Sequence, residues 1–565
     1  MKKNLVIFAV FILLALPLFG CERQCEHKNA IVDAAVAATC TETGLTEGKH
    51  CADCGEVLSE QMVTPAADHD YKEYITFDDD GTAVSMTVTC EKCGFEDAKQ
   101  FCTDLALEFN DGVKTCTVTG MGECTHTEVN IPPAVQGYAV TVIDYEAFKN
   151  CADITDVYIP DSVTKIVDYA FYGCASLKSV NIPDGISCIE AGVFWDCKSL
   201  MSIRIPDSVT EIDENAFRNC KSLVSIEIPK GVTAIRTGTF SGCVSLTRVS
   251  ITDAVTSIGE SAFRNCASLE VIDLPDSVTY LGREMFYGCT SLVSIEIPEG
   301  IKKIEDSLFG ECISLTDVKI PNSVTKVGER AFSICTNLRE ITIPESVTSI
   351  EYGAFMDSES IDNVYYEGDL AAWCGVKFRG DSTNPLYNGA TLHIDGVPLV
   401  DVVIPDTVSE ISSYAFYGCG SIKTVTIPDS VNAIGGGAFS GCKNLTDVKL
   451  GIGLEHIYGK AFYGCDGLTY IEIPEGVETI GGEAFGKCSN LDSVVISKSV
   501  KLIDQSAFFG EPKKTVYYCG TAGEWEKLWM FGVIMPDDVK YYYSETKPTD
   551  GGSYWRYVDG VPTLW

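Results

Sequence analysis

Histidine is scarce in this chain, with six residues among 565, and the common motifs of enzyme active sites are missing. A nucleophilic triad needs a base, which is usually histidine. His393 and His456 lie far apart, and neither stands beside a recognisable nucleophile motif. The sequence also lacks G-x-S-x-G, a phosphate-binding glycine loop and H-E-x-x-H. It therefore predicts a protein that is not an enzyme.

Basic residues are also few, since 42 Lys and Arg stand against 80 Asp and Glu, for a formal net charge of −38. Such a surface repels the phosphates of nucleic acids and anionic lipid head groups. Nucleic acid is therefore excluded as a partner. Two interpretations of the excess acid stay open: it keeps the folded chain soluble, or it forms an acidic face for a basic partner or Ca²⁺.

The apolar run at the N-terminus extends from Leu5 to Gly20, and its 16 residues are short for a membrane span. Lys2 and Lys3 precede it, which is the pattern of a secretory signal peptide. The run ends in Leu-Phe-Gly-Cys, which resembles a bacterial lipobox and implies cleavage before Cys21 and acylation of its sulfur. We expect a signal peptide over residues 1–20 and a lipid anchor at Cys21. A simple secretory signal with cleavage nearby is the alternative.

What the sequence does contain is a long internal repeat, marked by phenylalanine every 23 residues in two blocks. A constant period of this size indicates a solenoid, in which one short unit stacks on copies of itself. The periodic residues are Phe148, Phe171, Phe194, Phe217, Phe240, Phe263, Phe286, Phe309, Phe332 and Phe355, then Phe416, Phe439, Phe462, Phe485 and Phe508.

The sequence of a single repeat predicts the path of the chain in each rung, which is one turn of the solenoid. Val180 and Ile182 alternate with a polar residue, which indicates a short strand with one buried face. A proline then ends the strand, because it has no N–H to donate. Apolar pairs beyond the turn, such as Val209 and Ile212, predict a second short strand, and the Ala-Phe segment that follows suits a bent or 3₁₀ conformation. The expected fold class is a mainly β repeat solenoid with phenylalanine in its core.

The recurring strings Leu-x-x-Val-x-Ile-Pro, Val-Thr-x-Ile and Ala-Phe-x-x-Cys resemble those of BspA-like leucine-rich repeat proteins, over roughly residues 103 to 510. The resemblance implies a leucine-rich-repeat solenoid on a bacterial cell surface. It also implies partners among the macromolecules of a host or of neighbouring cells.

The predicted organisation has six segments. The insertion and the C-terminal segment share an aromatic pattern, and the latter suits a cap because exposed strand edges invite unwanted pairing. Two interpretations of the insertion stay open: it contacts a ligand, or it fills the space between two stacks of repeats. The segments are a signal peptide (1–20), a Cys-rich zinc-ribbon-like module (21–102), a first block of repeats (103–355), an insertion (356–402), a second block (403–510) and an aromatic cap (511–565).

Half of the 26 cysteines follow the repeat, each three residues after its phenylalanine. We expect free, inward thiols here, because side chains on identical stacked rungs point the same way and cannot adopt disulfide geometry. Cys116, Cys124 and His126 resemble a metal set, but core or turn packing is expected for them. The periodic cysteines are Cys151, Cys174, Cys197, Cys220, Cys243, Cys266, Cys289, Cys312, Cys335, Cys419, Cys442, Cys465 and Cys488.

Two C-x-x-C-G knuckles lie in the Cys-rich module, and each can place two thiolates on one cation. Tetrahedral zinc needs four such ligands. The stretch resembles small zinc-ribbon-like modules of exported bacterial proteins, and a disulfide-stapled stalk is the other interpretation. Any zinc here would be structural, and no catalytic cofactor is expected. The predicted ligands are His27, Cys51, Cys54 and His69, or alternatively Cys51, Cys54, Cys90 and Cys93.

A candidate binding column runs along the first strands, at the residue between the two apolar positions. This residue varies from rung to rung while the core barely does, which favours a protein with an irregular footprint over a repetitive glycan. The alternative is that these outward residues only face solvent and contact no partner. The candidate binding column is Tyr158, Asn181, Arg204, Glu227, Ser250, Asp273, Glu296, Lys319, Thr342 and Tyr365, then Thr426, Lys449, Glu472 and Val495.

Taken together, these patterns predict a lipid-anchored cell-surface protein that binds other proteins in adhesion. A structural spacer or assembly protein is one alternative. Another is a carbohydrate-binding or enzymatic role carried by the insertion, with Trp373 as the sugar contact.

Overall fold

The computed structural model describes residues 30–34, 44–45, 48–52, 57–59, 63–64, 71–90, 96–504, 506–510, 514–530, 539–549 and 551–565. These residues form two compact units. One comprises residues up to 76 together with 85–100, and the other comprises 77–84 and the chain from 101 onward.

The N-terminal part contains small sheets of short strands. They are Ala30–Asp33, Gly48–Cys51 and Val57–Ser59 in one sheet, Gly44–Leu45 and Val63–Thr64 in a second, and Tyr71–Phe77, Ala83–Cys90 and Glu96–Gln100 in a third.

The larger unit is a mainly β solenoid, and this confirms the fold class predicted from the 23-residue period. Each rung has a first strand before its proline, a second strand after the turn, and a turn segment that carries the phenylalanine. Equivalent residues of successive rungs pair in parallel, as Val157 does with Val180 and Ile304 does with Val327. We call the outer surface of the first strands face A and that of the second strands face B.

The strands of the solenoid are as follows. An opening sheet contains Ala106–Asn110, Thr115–Gly120, Ala134–Val135 and Tyr138–Ile143. Face A contains Glu128–Asn130, Asp156–Tyr158, Ser179–Val180, Ser225–Glu227, Arg248–Ser250, Asp317–Lys319, Glu340–Ile343, Asn363–Tyr366, Thr391–Ile394, Val397–Pro398, Asp401–Val403, Thr424–Thr426, Asp447–Lys449, Tyr470–Ile473, Ser493–Ile496, Thr515–Tyr518, Val539–Tyr543, Tyr554–Val558 and Val561–Leu564. Face B contains Lys165–Ile166, Cys188–Ile189, Glu211–Ile212, Ala234–Ile235, Ser257–Ile258, Tyr280–Leu281, Lys303–Ile304, Lys326–Val327, Ser349–Ile350, Lys377–Phe378, Glu410–Ile411, Ala433–Ile434, His456–Ile457, Thr479–Ile480, Leu502–Ile503 and Trp529–Met530.

The phenylalanines form the core as two stacks of nearly parallel rings. From Phe148 to Phe355, neighbouring ring centroids lie 5.2–5.9 Å apart. From Phe416 to Phe508 the spacing is 5.0–5.3 Å. At these separations offset stacking of aromatic rings is favourable. Each rung therefore supplies one wall of the next rung's core.

The periodic cysteines form a second internal row beside the rings. The Cys174 thiol donates to the carbonyl of Phe148 in the preceding rung at 3.1 Å, and the other buried members from Cys197 to Cys335 repeat this contact. Ser358, which stands in a cysteine position, donates to the carbonyl of Phe332 at 2.6 Å. Burial raises the pKa of the Cys243 thiol to about 12. Such thiols stay protonated at neutral pH, and they act as small packing groups and donors.

A sharp turn follows each phenylalanine, and the residue two positions after it has left-handed backbone. φ is 58° at Asn219, 76° at Gly242 and 59° at Ile334. Glycine and asparagine tolerate this region, whereas a β-branched side chain clashes with its own backbone there. Ile334 is thus a strained member of an otherwise well-matched series.

Replacing Ile334 with glycine is expected to raise the free energy of unfolding by roughly 1 kcal/mol, because the left-handed penalty of about 1–2 kcal/mol disappears. Urea unfolding curves of the two proteins measure the change. Gly242→Ile is the opposite control, and it should destabilise, since a β-branched residue would have to adopt the φ of 76° found there. A lower unfolding midpoint for Ile334→Gly would contradict this account.

The insertion begins as a further rung, because Asn363–Tyr366 pairs in parallel with Glu340–Ile343. A short helix, Leu370–Gly375, then stands where other rungs have the turn between their first and second strands, and Asp369 caps it by accepting from the Ala372 N–H at 2.7 Å. A 3₁₀ turn, Asp381–Thr383, follows. The aromatic residues of the insertion are thus placed by the same coil that places the repeats.

The insertion and the C-terminal segment end in the same kind of hairpin. Thr391–Ile394 pairs antiparallel with Val397–Pro398, and Tyr554–Val558 does so with Val561–Leu564. The Asp-Gly turns at 395–396 and 559–560 have positive φ at both residues, which is the type I′ hairpin geometry. The C-terminal segment also repeats the helix, as Ala522–Trp525.

Candidate binding surface

The candidate binding column lies on face A, as its period-2 position requires. Val157 and Ile341 point inward and are buried, whereas the column residues between the inward positions face outward. Of the first-block members, Asn181, Arg204, Glu227, Asp273, Glu296 and Lys319 are exposed, and Tyr158, Ser250, Thr342 and Tyr365 are half-buried.

Two members of the column are engaged by their own neighbours. The Asn181 side-chain oxygen accepts from the Ile159 N–H at 2.7 Å, and its amide nitrogen donates to the Ile159 carbonyl at 2.7 Å. Asn181 therefore completes the strand pairing of the previous rung. Arg204 lies 3.4 Å from the Asp184 carboxylate. This part of the column supports the fold and offers little free hydrogen-bonding capacity.

Further along face A the column passes through a shallow groove of about 340 Å³. Lys319, Thr342 and Tyr365 form its floor in register across three neighbouring strands. Thr316, Asp317, Val318, Arg339 and Glu340 complete the lining. Acidic, basic and aromatic groups thus meet within one depression on the predicted binding face.

The charges of the groove are held by ion pairs at its margin. The Lys319 ammonium lies 3.0 Å from the Glu367 carboxylate, and the Arg339 guanidinium lies 3.2 Å from the Asp362 carboxylate. Both pairs are largely exposed, so each contributes about 0–1 kcal/mol and can exchange for a partner's charges at little cost. The groove therefore offers both signs of charge to a ligand.

The aromatic side of the groove is a contact between two residues of the insertion. The rings of Tyr365 and His393 have centroids 4.7 Å apart. The His393 Nε2 atom lies 3.0 Å from the Asn363 side-chain oxygen, and this contact orients the imidazole. Tyr365 thus presents an oriented ring in the groove, separated from Lys319 by Thr342.

At the other end of the solenoid, the same column is covered by the C-terminal hairpin. Val495 occupies an outward position in its strand, yet it is fully buried. Trp555 packs on Tyr517 with ring centroids 5.4 Å apart, and the Tyr557 hydroxyl donates to the Glu472 carboxylate at 2.7 Å. The chain therefore places two aromatic residues of its own on column positions.

The contact between the hairpin and the column is only partly shielded from solvent, because Tyr470 and Tyr557 keep 36% and 37% of their surfaces exposed. Burial and the hydrogen bond to Glu472 raise the pKa of Tyr557. Burial also raises the pKa of Tyr470, whose hydroxyl donates to the other Glu472 oxygen at 3.0 Å. One carboxylate thus receives two phenol donors, which is a strong arrangement because charge-assisted hydrogen bonds are roughly twice as strong as neutral ones.

The aromatic residues of the insertion have mostly inward roles. Trp373 is fully buried, and its Nε1–H donates to the Ala415 carbonyl of the second block at 2.9 Å. Asn384 donates to the same carbonyl at 2.9 Å. A ring in this position cannot stack on a sugar, so the prediction of Trp373 as a sugar contact is wrong. Of the two interpretations of the insertion, filling the space between the stacks fits these contacts.

The predicted metal and lipidation sites fall mainly outside the described residues. Cys21, His27, Cys54, His69 and Cys93 are not among them, whereas Cys51 and Cys90 are described and buried. Within the described ranges, no group of three or more His, Cys, Asp or Glu side chains could hold a metal ion. The zinc site therefore stays a prediction, as does the anchor.

Some residues of this surface could not be recognised from the sequence of a single repeat. Asp317 and Glu340 lie on strand positions that flank the column, and Arg339 directly precedes its strand; they matter because two neighbouring rungs bring them together. Trp555 and Tyr557 reach the column from a hairpin that the sequence marks only as aromatic. The repeated Asp-Gly-Val-Pro string at 395–398 and 559–562 is the one signal that could have shown both hairpins.

Comparisons with known proteins agree with this architecture. The family model described as BspA type Leucine rich repeat region (6 copies) matches residues 141–270, 256–382 and 395–515. A crystal structure of a leucine-rich repeat protein from Bacteroides ovatus is similar, with 28% identity, a TM-score of 0.55, and coverage of 74% of this chain and 98% of that one. A leucine rich cell surface protein from Faecalibacterium prausnitzii is 28% identical over 75% of this chain and 96% of its own, with a TM-score of 0.27.

Two further findings bear on the setting of the protein. None of the curated proteins matches this chain. Among the helices of the described residues, none is long and apolar enough to cross a membrane.

Proposed function

Because the chain belongs to the family of BspA-type leucine-rich repeat proteins, we propose that it is a non-catalytic scaffold that binds a protein partner on face A, outside the cell. The binding region is centred on the groove of Lys319, Thr342 and Tyr365. Leucine-rich repeats present long regular surfaces made by stacked rungs. Such a surface binds through many small contacts and needs no reacting group.

The observation that carries the proposal is the groove itself. It lies on the column that the repeat pattern singles out, and it combines an oriented tyrosine, a lysine and the paired carboxylates of Asp317 and Glu340. Tyrosine and arginine are enriched among residues that dominate protein interfaces. The groove has Tyr365 and Arg339 in its lining.

The contact between the C-terminal hairpin and the column favours a protein as the ligand of face A. There the occupant is a β-hairpin of this chain, which contributes one ring against Tyr517 and one phenol to Glu472. This intramolecular contact supports a partner that presents an extended polypeptide with aromatic side chains to face A. Glycan binding through Trp373 has no comparable support, since that ring is buried.

The proposed location is the envelope surface, with the acyl anchor at Cys21. The Lys2-Lys3 pair, the apolar run and the Leu-Phe-Gly-Cys string support export and acylation. Adhesion follows from location and binding together, because an anchored scaffold that holds a protein of a host or a neighbouring cell joins the two surfaces.

The test is binding of the purified chain to host matrix proteins, bacterial surface preparations and glycans. Saturable binding to a protein is expected, and Lys319→Glu should weaken it about tenfold or more, which corresponds to about 1.4 kcal/mol. Lys302→Glu makes the same charge change at an exposed site away from the groove, and it should leave the affinity unchanged.

Three outcomes would decide against the proposal. Equal losses for the two variants would show that net charge, and not the groove, governs binding. Self-association alone would favour a spacer or assembly protein. Binding to glycans alone would favour a carbohydrate-binding role.

A further inference from the structure

Strands Ala106–Asn110 and Thr115–Gly120 form a hairpin, which we call the opening hairpin, and it brings together two cysteines that lie outside the periodic row. Its strands pair antiparallel, with Leu107 opposite Val118. Beyond the strands the pairing continues, because the Glu123 N–H donates to the Asp104 carbonyl at 3.0 Å. Two residues before Asp104 is Cys102, and one residue after Glu123 is Cys124.

The two cysteines lie at the base of this hairpin, on its two facing segments. Burial and the neighbouring Cys124 thiol raise the pKa of Cys102 to about 12, and the Cys102 thiol also donates to the Glu128 carbonyl at 3.9 Å. Both cysteines are nearly buried, with 4% and 7% of their surfaces exposed. Cys102 is fixed further by its N–H, which donates to the Asn130 carbonyl at 2.8 Å. The pair is therefore held by backbone contacts on both sides of the hairpin.

The geometry of this pair differs from that of every row cysteine. In the row, every thiol except those of Cys151 and Cys419 points along the stack to a phenylalanine carbonyl, as Cys220 does to Phe194 at 3.2 Å. Cys116, in the same hairpin as the pair, points to the Tyr138 carbonyl at 3.7 Å. Cys102 and Cys124 approach from facing segments, and facing Cβ atoms are what a disulfide requires.

We propose that Cys102 and Cys124 form a disulfide that closes the base of the opening hairpin when the chain folds in an oxidising environment. This modification is independent of the partner that face A binds. Exported proteins meet the oxidising conditions in which disulfides persist. The row cysteines remain thiols in the same molecule, since equivalent side chains on stacked rungs point the same way and do not face each other as a disulfide requires.

The chemistry balances with a disulfide as the oxidant. One cysteine, as its thiolate, attacks a sulfur of the oxidant and releases the first oxidant thiol, which forms a mixed disulfide. The second cysteine then attacks the protein sulfur and releases the second oxidant thiol. Two protein thiols lose two electrons and two protons in total, and one oxidant disulfide becomes two thiols.

The proposed bond would stabilise the end of the solenoid at which it lies. Every internal rung is held by a neighbour on each side, whereas the opening sheet pairs with the solenoid on one side, through Tyr138–Ile143 and Lys165–Ile166. The ends of a repeat array open most readily. A bond across the hairpin base restrains this end without any change in the repeat itself.

The experiment uses the full chain, refolded with oxidised glutathione, then alkylated in denaturant and digested with trypsin. The expected result is one linked pair of peptides, joining the peptide with Cys102 to the peptide with Cys124, and its loss after reduction. Because Cys116 shares a tryptic peptide with Cys124, fragmentation of the linked pair assigns the bond. Alkylated Cys102 and Cys124 after oxidation, or a bond from either to any other cysteine, would overturn the proposal.

Matched variants separate the bond from a packing role. Cys124→Ser should abolish the link, and Cys116→Ser should preserve it. Dithiothreitol should lower the melting temperature of the oxidised wild type and of Cys116→Ser, but not of Cys124→Ser. A link that persists in Cys124→Ser, or an equal response of all three proteins to dithiothreitol, would also count against it.

Discussion

Phe263→Ala is expected to lower the free energy of unfolding by roughly 3–5 kcal/mol, the usual range for removal of a buried aromatic ring. Phe263 is fully buried and stacks on Phe240 and Phe286, with centroids 5.6 and 5.9 Å away. Both neighbours would lose a stacking partner. The cavity cannot close readily either, because the Phe263 N–H is fixed to the next rung by a 3.0 Å bond to the Met285 carbonyl.

Thermal and urea unfolding measure this loss, and Tyr280→Ala is the matched control. Tyr280 is an aromatic residue of a neighbouring face B strand, with 48% of its surface exposed. Its removal should change the free energy of unfolding by about 0.5 kcal/mol or less, as for most surface substitutions. Equal effects of the two substitutions would contradict the role of the phenylalanine stack.

Trp373→Ala is expected to have a comparable effect, roughly 3–5 kcal/mol, and to change the form of the unfolding curve. Trp373 fills the junction where the phenylalanine stack is interrupted, and it bonds to Ala415 of the second block. Stability in a repeat array is a sum of rung and interface terms. Weakening this one interface should therefore separate a single transition into two.

Trp373→Phe tests the two contributions separately, with calorimetry as the measurement. It keeps most of the ring and loses the N–H donor. The Ala415 carbonyl still accepts from Asn384, so the cost should be well below that of the alanine variant, nearer to the 1 kcal/mol of a typical hydrogen bond. A single transition in Trp373→Ala, at the wild-type temperature, would show that the junction contributes little.

The directions of the repeating residues were predictable because every rung must bury equivalent apolar side chains against its neighbours. Phe263 and Cys220 occupy positions that recur at a fixed spacing, so their inward direction follows from the stacking of identical units. The same argument located the outward column, since strand residues alternate between two faces. The general course of the rung was therefore available from a single repeat.

The binding surface was less predictable because it depends on contacts between distant parts of the chain. Tyr557 reaches Glu472 across 85 residues, and no local pattern encodes such a contact. Asn181 appeared as one more variable column residue, but its amide completes the pairing of the previous strand. Whether an outward residue is free depends on what packs beside it, and periodicity does not contain this information.

The two type I′ hairpins limit how the ends of the stacked strands can pair with another molecule. Each one ends a block of stacked strands with a turn that pairs back on the last strand, at residues 391–398 and 554–564. The outer strand of each hairpin contains a proline, Pro398 or Pro562, which has no N–H to donate to a further strand. A second copy of the chain therefore meets an interrupted row of donors at these positions.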